Sequence, residues 1–146
     1  MISGTVKVIR KKHRELPKLK GRTRVKVGYP AGTAKKGVIM KAIWNHYGTR
    51  RGIPPRPWLY IAMRRNREKY RRYFKAFAAK ILGGELTLEN SLRLLGEAAK
   101  TDVQKSLIAL RTPPNAPATL RAKAPRTNPL IDTGEMNQAT TYEVID

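Results

Sequence analysis

The chain has 146 residues, 40% of them hydrophobic, with no cysteine and a formal net charge of +21. That length suits one domain with a real core and is short for two. The missing cysteines exclude a disulfide framework and any thiolate metal site, in keeping with assembly in a reducing cytoplasm.

No apolar run approaches the ~18 residues of a membrane span, and Met1-Ile2-Ser3-Gly4 lacks the plan of a signal peptide. A soluble intracellular protein with no membrane partner is expected. The charge is uneven: residues 1 to 80 hold 24 Lys/Arg against 2 Asp/Glu, and residues 81 to 146 hold 7 against 8. Clustered positive charge gathers polyanions, so DNA or an acidic protein face is the expected partner of the first half.

Thr5-Val6-Lys7-Val8-Ile9 and Thr23-Arg24-Val25-Lys26-Val27 alternate apolar and basic residues, the period of half-buried strands, with Lys7, Arg24 and Lys26 outward. Between them Arg10 to Lys20, broken by Pro17, reads as a basic arm. From Gly37 to Tyr47, Ile39, Met40, Ile43, Trp44 and Tyr47 recur at helical steps, and Gly48 is the stop. Pro57 suits a first helical turn. After it Leu59, Ala62, Met63, Asn66, Tyr70, Tyr73, Phe74, Phe77 and Ile81 predict a stripe down one helix from Trp58 to Leu82, ended by Gly83-Gly84. Thr87 is the expected N-cap of a second long helix carrying Leu88, Leu92, Leu95, Ala99, Val103, Leu107 and Leu110 on one face. The short connection predicts an antiparallel αα-hairpin. Thr112 to Met136 holds five prolines and no clear period, so it reads as a long extended loop anchored by Leu130, Ile131 and an Asp132-Thr133-Gly134 turn. Asn137 to Ile145 reads as a final strand. The expected fold is α+β: a small antiparallel sheet packed against a long αα-hairpin, with a basic arm over residues 1–22 and a Pro-rich loop over residues 112–136, all in one domain.

Arg64, Arg65, Arg67, Arg71, Arg72 and Lys75 crowd one helix with Glu68 as the acidic counterweight, and are read as the face for DNA or another anionic partner. No base-reading motif accompanies them, so any DNA contact is expected to be independent of sequence. The Asp132-Thr133-Gly134 triplet looks like that of a dimeric aspartic protease. Its helical surroundings and the few residues that follow do not suit that almost all-β fold, and a turn with the Asp132 side chain bonded to backbone N–H groups is expected instead. His13 and His46 stand alone, too few for a zinc site. No enzyme activity, metal or cofactor is expected.

Three passages together resemble the tail-completion and neck (head–tail joining) proteins of long-tailed bacteriophages. They are Ile43-Trp44-Asn45-His46-Tyr47-Gly48-Thr49, then Ile53-Pro54-Pro55-Arg56-Pro57-Trp58-Leu59, then Pro113-Pro114-Asn115 followed by Pro129-Leu130-Ile131-Asp132-Thr133-Gly134. Order and spacing match from about Val25 onward. His46 stands where that family usually has an acidic residue, and the basic N-terminal portion has no counterpart. The resemblance implies a virion structural protein at the head–tail junction or the top of the tail, assembled in the host cytoplasm. Its copies would form a hexameric or dodecameric ring against connector, neck and tail-tube proteins and let double-stranded DNA pass. A closing ring needs heterologous contacts, for which the basic region before Thr23 and Pro113, Pro114, Asn115, Pro117, Leu130, Ile131 and Asp132 are the expected surfaces. The alternative is a sequence-independent nucleic-acid-binding module.

Overall fold

The computed structural model describes residues 23–145; the expected strand at Thr5–Ile9 and the basic arm lie outside the described residues. Two strands, β1 (Arg24–Gly28) and β2 (Thr141–Ile145), come from opposite ends of this span and pair antiparallel. The register sets Val25 opposite Val144 and Lys26 opposite Glu143. One apolar and one charged pair therefore occupy opposite faces, as the two-residue period dictates. Arg24 and Lys26 are exposed, as their alternation predicts.

Two strands alone are marginally stable in water. Here α4 (Leu88–Ala109) packs against both of them. Gly96 of α4 makes that approach close, because a Cβ there would lie 2.2 Å from Cδ2 of Tyr142. The helix begins as expected: the Thr87 hydroxyl accepts from the Asn90 backbone N–H at 3.2 Å. Thr87→Ala should lower thermal stability by about 1 kcal/mol, as N-cap losses do, with little change in helix content by circular dichroism. A loss within noise would mean that water replaces the cap.

The core gathers α1 (Lys36–Tyr47), α2 (Trp58–Arg65), α4 and the end of the long loop. Val38, Ala42, Trp58, Ala62, Val103, Leu107, Leu130 and Met136 are buried together. Ser106 Oγ donates to the Trp58 carbonyl at 2.8 Å, fixing α2 against α4. Of the face expected on α4, Leu92, Leu95, Ala99, Val103 and Leu107 are buried, and Leu88 and Leu110 are half-buried.

Two expectations change. The helix predicted from Trp58 to Leu82 is interrupted at Asn66, and continues as α3 (Arg67–Gly83). The Asn66 side-chain amide donates to the Ala62 carbonyl at 2.9 Å, while its backbone leaves helical angles at φ −98° and ψ 8°. Asparagine competes with the helical ladder in this way. Past the break the apolar stripe is not buried: α3 has no buried residue, and Phe74 is 55% exposed. The hairpin with α4 is held instead by Asp102, buried on α4, whose carboxylate takes Lys69 Nζ at 2.8 Å and the Tyr70 hydroxyl at 3.0 Å. Burial first, and then this carboxylate, push the Tyr70 phenol well above its ordinary pKa.

The second change is within the Pro-rich loop, which carries a helix, α5 (Pro117–Lys123), and leads into one turn of helix, α6 (Glu135–Gln138), before β2. Pro117 occupies the first helical position, where its missing N–H costs nothing. The final strand accordingly starts at Thr141 rather than Asn137.

Candidate functional site

The passages that carry the resemblance are far apart in sequence and meet around one side chain. Gly48, at φ 77°, ends α1 and lets the chain double back so tightly that a Cβ would lie 2.8 Å from the Ile53 carbonyl oxygen. Thr49 N–H donates to that same carbonyl, and Arg56 N–H donates to the Asn45 carbonyl at 2.7 Å. This return places the Arg56 side chain, 2% exposed, beneath the loop that follows α4. Arg56 Nε donates to the Pro113 carbonyl at 2.7 Å and Nη2 to the Pro114 carbonyl at 2.8 Å. Nη1 donates to Asn45 Oδ1 at 3.1 Å, and Nη2 also reaches Asn115 Oδ1 at 3.3 Å. Prolines suit this role because their carbonyls remain free to accept while they demand no N–H partner. The guanidinium stays charged at neutral pH, and burial lowers its pKa.

The remaining passage closes the other side. Asn128 Oδ1 accepts from the backbone N–H groups of Leu130 and Ile131 at 2.9 and 3.1 Å, and its Nδ2 donates to the Ile108 carbonyl at 2.7 Å. Arg126 donates to the Asp132 carbonyl at 2.8 Å. Tyr29 donates its hydroxyl to the Met136 carbonyl at 2.9 Å, and burial raises its pKa. Between these segments lies a cleft of about 320 Å³. Lys41, Asn45, Arg56, Asn115, Lys123 and Asp132 contribute its polar lining, with Ile53, Pro54, Leu130 and Met136 as apolar wall.

The expected interface residues divide. Leu130 lies in the chain's own core, where its apolar side chain anchors the loop as expected. Pro113, Asn115 and Ile131 are half-buried against their own chain, whereas Pro114, Pro117 and Asp132 are exposed or partly so. In the turn at Asp132 the side-chain acceptor is the Thr133 hydroxyl, reached by Glu135 N–H at 3.4 Å, and not the expected Asp132 carboxylate. Gly134 at φ 85° supplies the left-handed step. Asp132 contributes its carbonyl.

Arg64, Arg65, Arg67, Arg71, Arg72 and Lys75 are all exposed along α2 and α3. Arg71 pairs with Glu68 at 2.6 Å, and among the described residues the other five have no carboxylate within salt-bridge distance. Among the described residues no cluster of three metal-ligating side chains occurs, and no helix is long and apolar enough to cross a membrane. His46 packs edge-on against Trp58 with ring centroids 5.0 Å apart, and burial lowers its pKa. Since the unfolded ring takes up its proton near pH ~6.5 and the folded one resists it, stability should fall as pH drops through that value. A His46→Gln variant should flatten this part of the stability–pH curve; an unchanged slope would assign it to other groups.

Asn45 and Arg56 stand within the sequence motifs, yet neither is among the site residues expected from them. The available signal was an arginine set between prolines in an otherwise apolar passage, which marks the residue without naming its partners. Compared with protein-family models, curated proteins and solved structures, the chain matches none.

Proposed function

We propose that the chain is a virion structural protein of a long-tailed phage that works at the head–tail junction or the top of the tail as a closed ring through which DNA passes. What supports this reading is that Asn45, Arg56 and the Pro113-Pro114-Asn115 passage, three separate parts of the motif set, are joined in one hydrogen-bonded unit. The proposed ring contact is the outer face of α5 with Pro114 and Asp132, held rigid from below by Arg56. The exposed arginines of α2 and α3 face an anion, either DNA in the channel or an acidic ring next to it.

An Ala118→Glu, Ala122→Glu double variant tests the ring interface, since both alanines are exposed and share one side of α5. It should keep the parent's circular dichroism spectrum and sediment as a subunit. A variant that assembles like the parent removes α5 from the interface. Replacing Arg64, Arg67, Arg71 and Arg72 with glutamine tests the anion. If DNA is the partner, affinity for unrelated duplexes falls together and the salt slope shallows by roughly one unit for each phosphate no longer neutralised. If an acidic ring is the partner, DNA affinity holds and particle assembly fails. A nucleic-acid-binding module, the reading favoured by the unpaired arginines alone, would show the first result without any ring.

A further inference from the structure

Arg56 has five N–H groups and four hydrogen-bond contacts, from two carbonyls and two amide oxygens, so no carboxylate among the described residues neutralises it. Asn115 accepts from this cation through Oδ1, which fixes the amide orientation, because the flipped amide would set an NH₂ against the guanidinium. Its Nδ2 is then left buried without an acceptor. Unpaired buried donors are costly and call for an explanation. Both side chains line the cleft, and so does Lys123, whose Nζ makes one hydrogen bond, to the Asn128 carbonyl at 3.1 Å. Lys41 pairs with Glu135 at 3.5 Å, and with Arg56, Lys123 and Asp132 counted the lining keeps one positive charge in excess.

We propose that this cleft is a docking site for a single carboxylate presented on an acidic peptide segment of a neighbouring protein, a step that rests on the structural-protein reading above. Lys123 Nζ and the one Arg56 N–H without an acceptor offer a donor to each of a carboxylate's two oxygens, and Asn115 Nδ2, shielded from solvent, is reached once the loop gives slightly. The apolar wall of Ile53, Pro54, Leu130 and Met136 takes the methylenes that carry it. Asp132 and Glu135 also line the cleft, and they oppose a phosphate dianion more strongly than a singly charged carboxylate. At about 320 Å³ the cleft is at the small end of ligand sites, room for a side chain or two and not for a duplex. Lys123 is the adjustable member: burial lowers its pKa, Asp132 opposes that shift, and Arg56 and Arg126 add to it.

The full chain would be titrated with the blocked peptide acetyl-Gly-Glu-Gly-Glu-Gly-amide, with its glutamine counterpart and with inorganic phosphate, following the backbone amide of Ala116 in the cleft wall by NMR. The glutamate peptide should shift that resonance saturably and the other two should not. Lys123→Gln should weaken binding about tenfold, the loss of one charge-assisted bond. Asn115→Asp should abolish binding while the thermal midpoint holds or rises, because the new carboxylate meets Arg56 from within. The glutamine variant of Arg64, Arg67, Arg71 and Arg72 should bind like the parent. Equal binding of the glutamine peptide, preference for phosphate, or undiminished binding by Asn115→Asp would overturn the proposal. A chain that binds the peptide without forming a ring keeps the site and loses the ring reading; a ring indifferent to the peptide does the reverse.

Discussion

Arg56→Met is expected to lower folding stability by about 3–5 kcal/mol, the largest effect of any single substitution considered. Methionine fills much of the volume, so the loss is not a cavity effect. It arises because the Pro113 and Pro114 carbonyls and the Asn45 and Asn115 amide oxygens lose their donor together, and each buried acceptor left alone costs about 1–3 kcal/mol before water reaches it. Water entering from the cleft recovers part of that sum, which is why the expected total is below it. Arg56→Lys should recover less than half of the loss, because one ammonium cannot span acceptors on three segments. Urea unfolding followed by circular dichroism measures both. A loss under about 1 kcal/mol for Arg56→Met would show that the loop is held by its apolar anchors alone.

This expectation also changes what a loop deletion means. Removing residues 112–126 takes away three of the four acceptors of a buried cation, so that variant would report on folding and not on assembly. Surface substitutions on α5 leave Arg56 capped and are the cleaner probe.

Gly96→Ala should destabilise by about 2 kcal/mol, against the sign that helix propensity alone gives. In an exposed helix interior the substitution would gain roughly 1 kcal/mol. Here the added methyl meets Cδ2, Cε2 and Cγ of Tyr142 at 2.2, 2.5 and 2.7 Å. Cγ stays in place when the ring turns about χ2, so clearing the clash takes a change of χ1 that pulls the ring out of its packing, or a lifting of β2 from α4. Overpacking of this kind costs typically ~1–3 kcal/mol. The double variant Gly96→Ala, Tyr142→Ser should lose less than the two single changes added together, a coupling that a double-mutant cycle reads directly. Additive losses would mean that the sheet and the helix do not meet at this point.

The elements legible in the sequence were those whose own pattern sufficed. Alternation in Arg24 to Val27, the apolar spacing of α1 with Gly48 after it, and the capped heptad-like face of α4 each needed only local information. The break at Asn66 was hidden because asparagine falls on the apolar stripe, although its amide competes with the backbone. Helix α5 was hidden because prolines on both sides drew Ala118-Thr119-Leu120-Arg121-Ala122-Lys123 into the reading of a loop; those six residues are mostly good helix formers and Pro117 is their natural start. That the stripe on α3 is only half covered, with Phe74 exposed, could not be foreseen, since periodicity reports a face and not what covers it. The Arg56 site was illegible for a different reason. Its acceptors in the Pro-rich loop lie 57 to 59 residues away, at the far end of the hairpin, and no spacing rule connects an arginine to the carbonyls that will surround it.

Whether the chain forms the proposed ring is read from the mass of the 146-residue protein in sedimentation velocity at low and at high salt. A discrete closed species of about six or about twelve copies that persists when surface electrostatics are screened is expected. A species that stays a single subunit at every salt concentration, and grows only when nucleic acid is added, would contradict it.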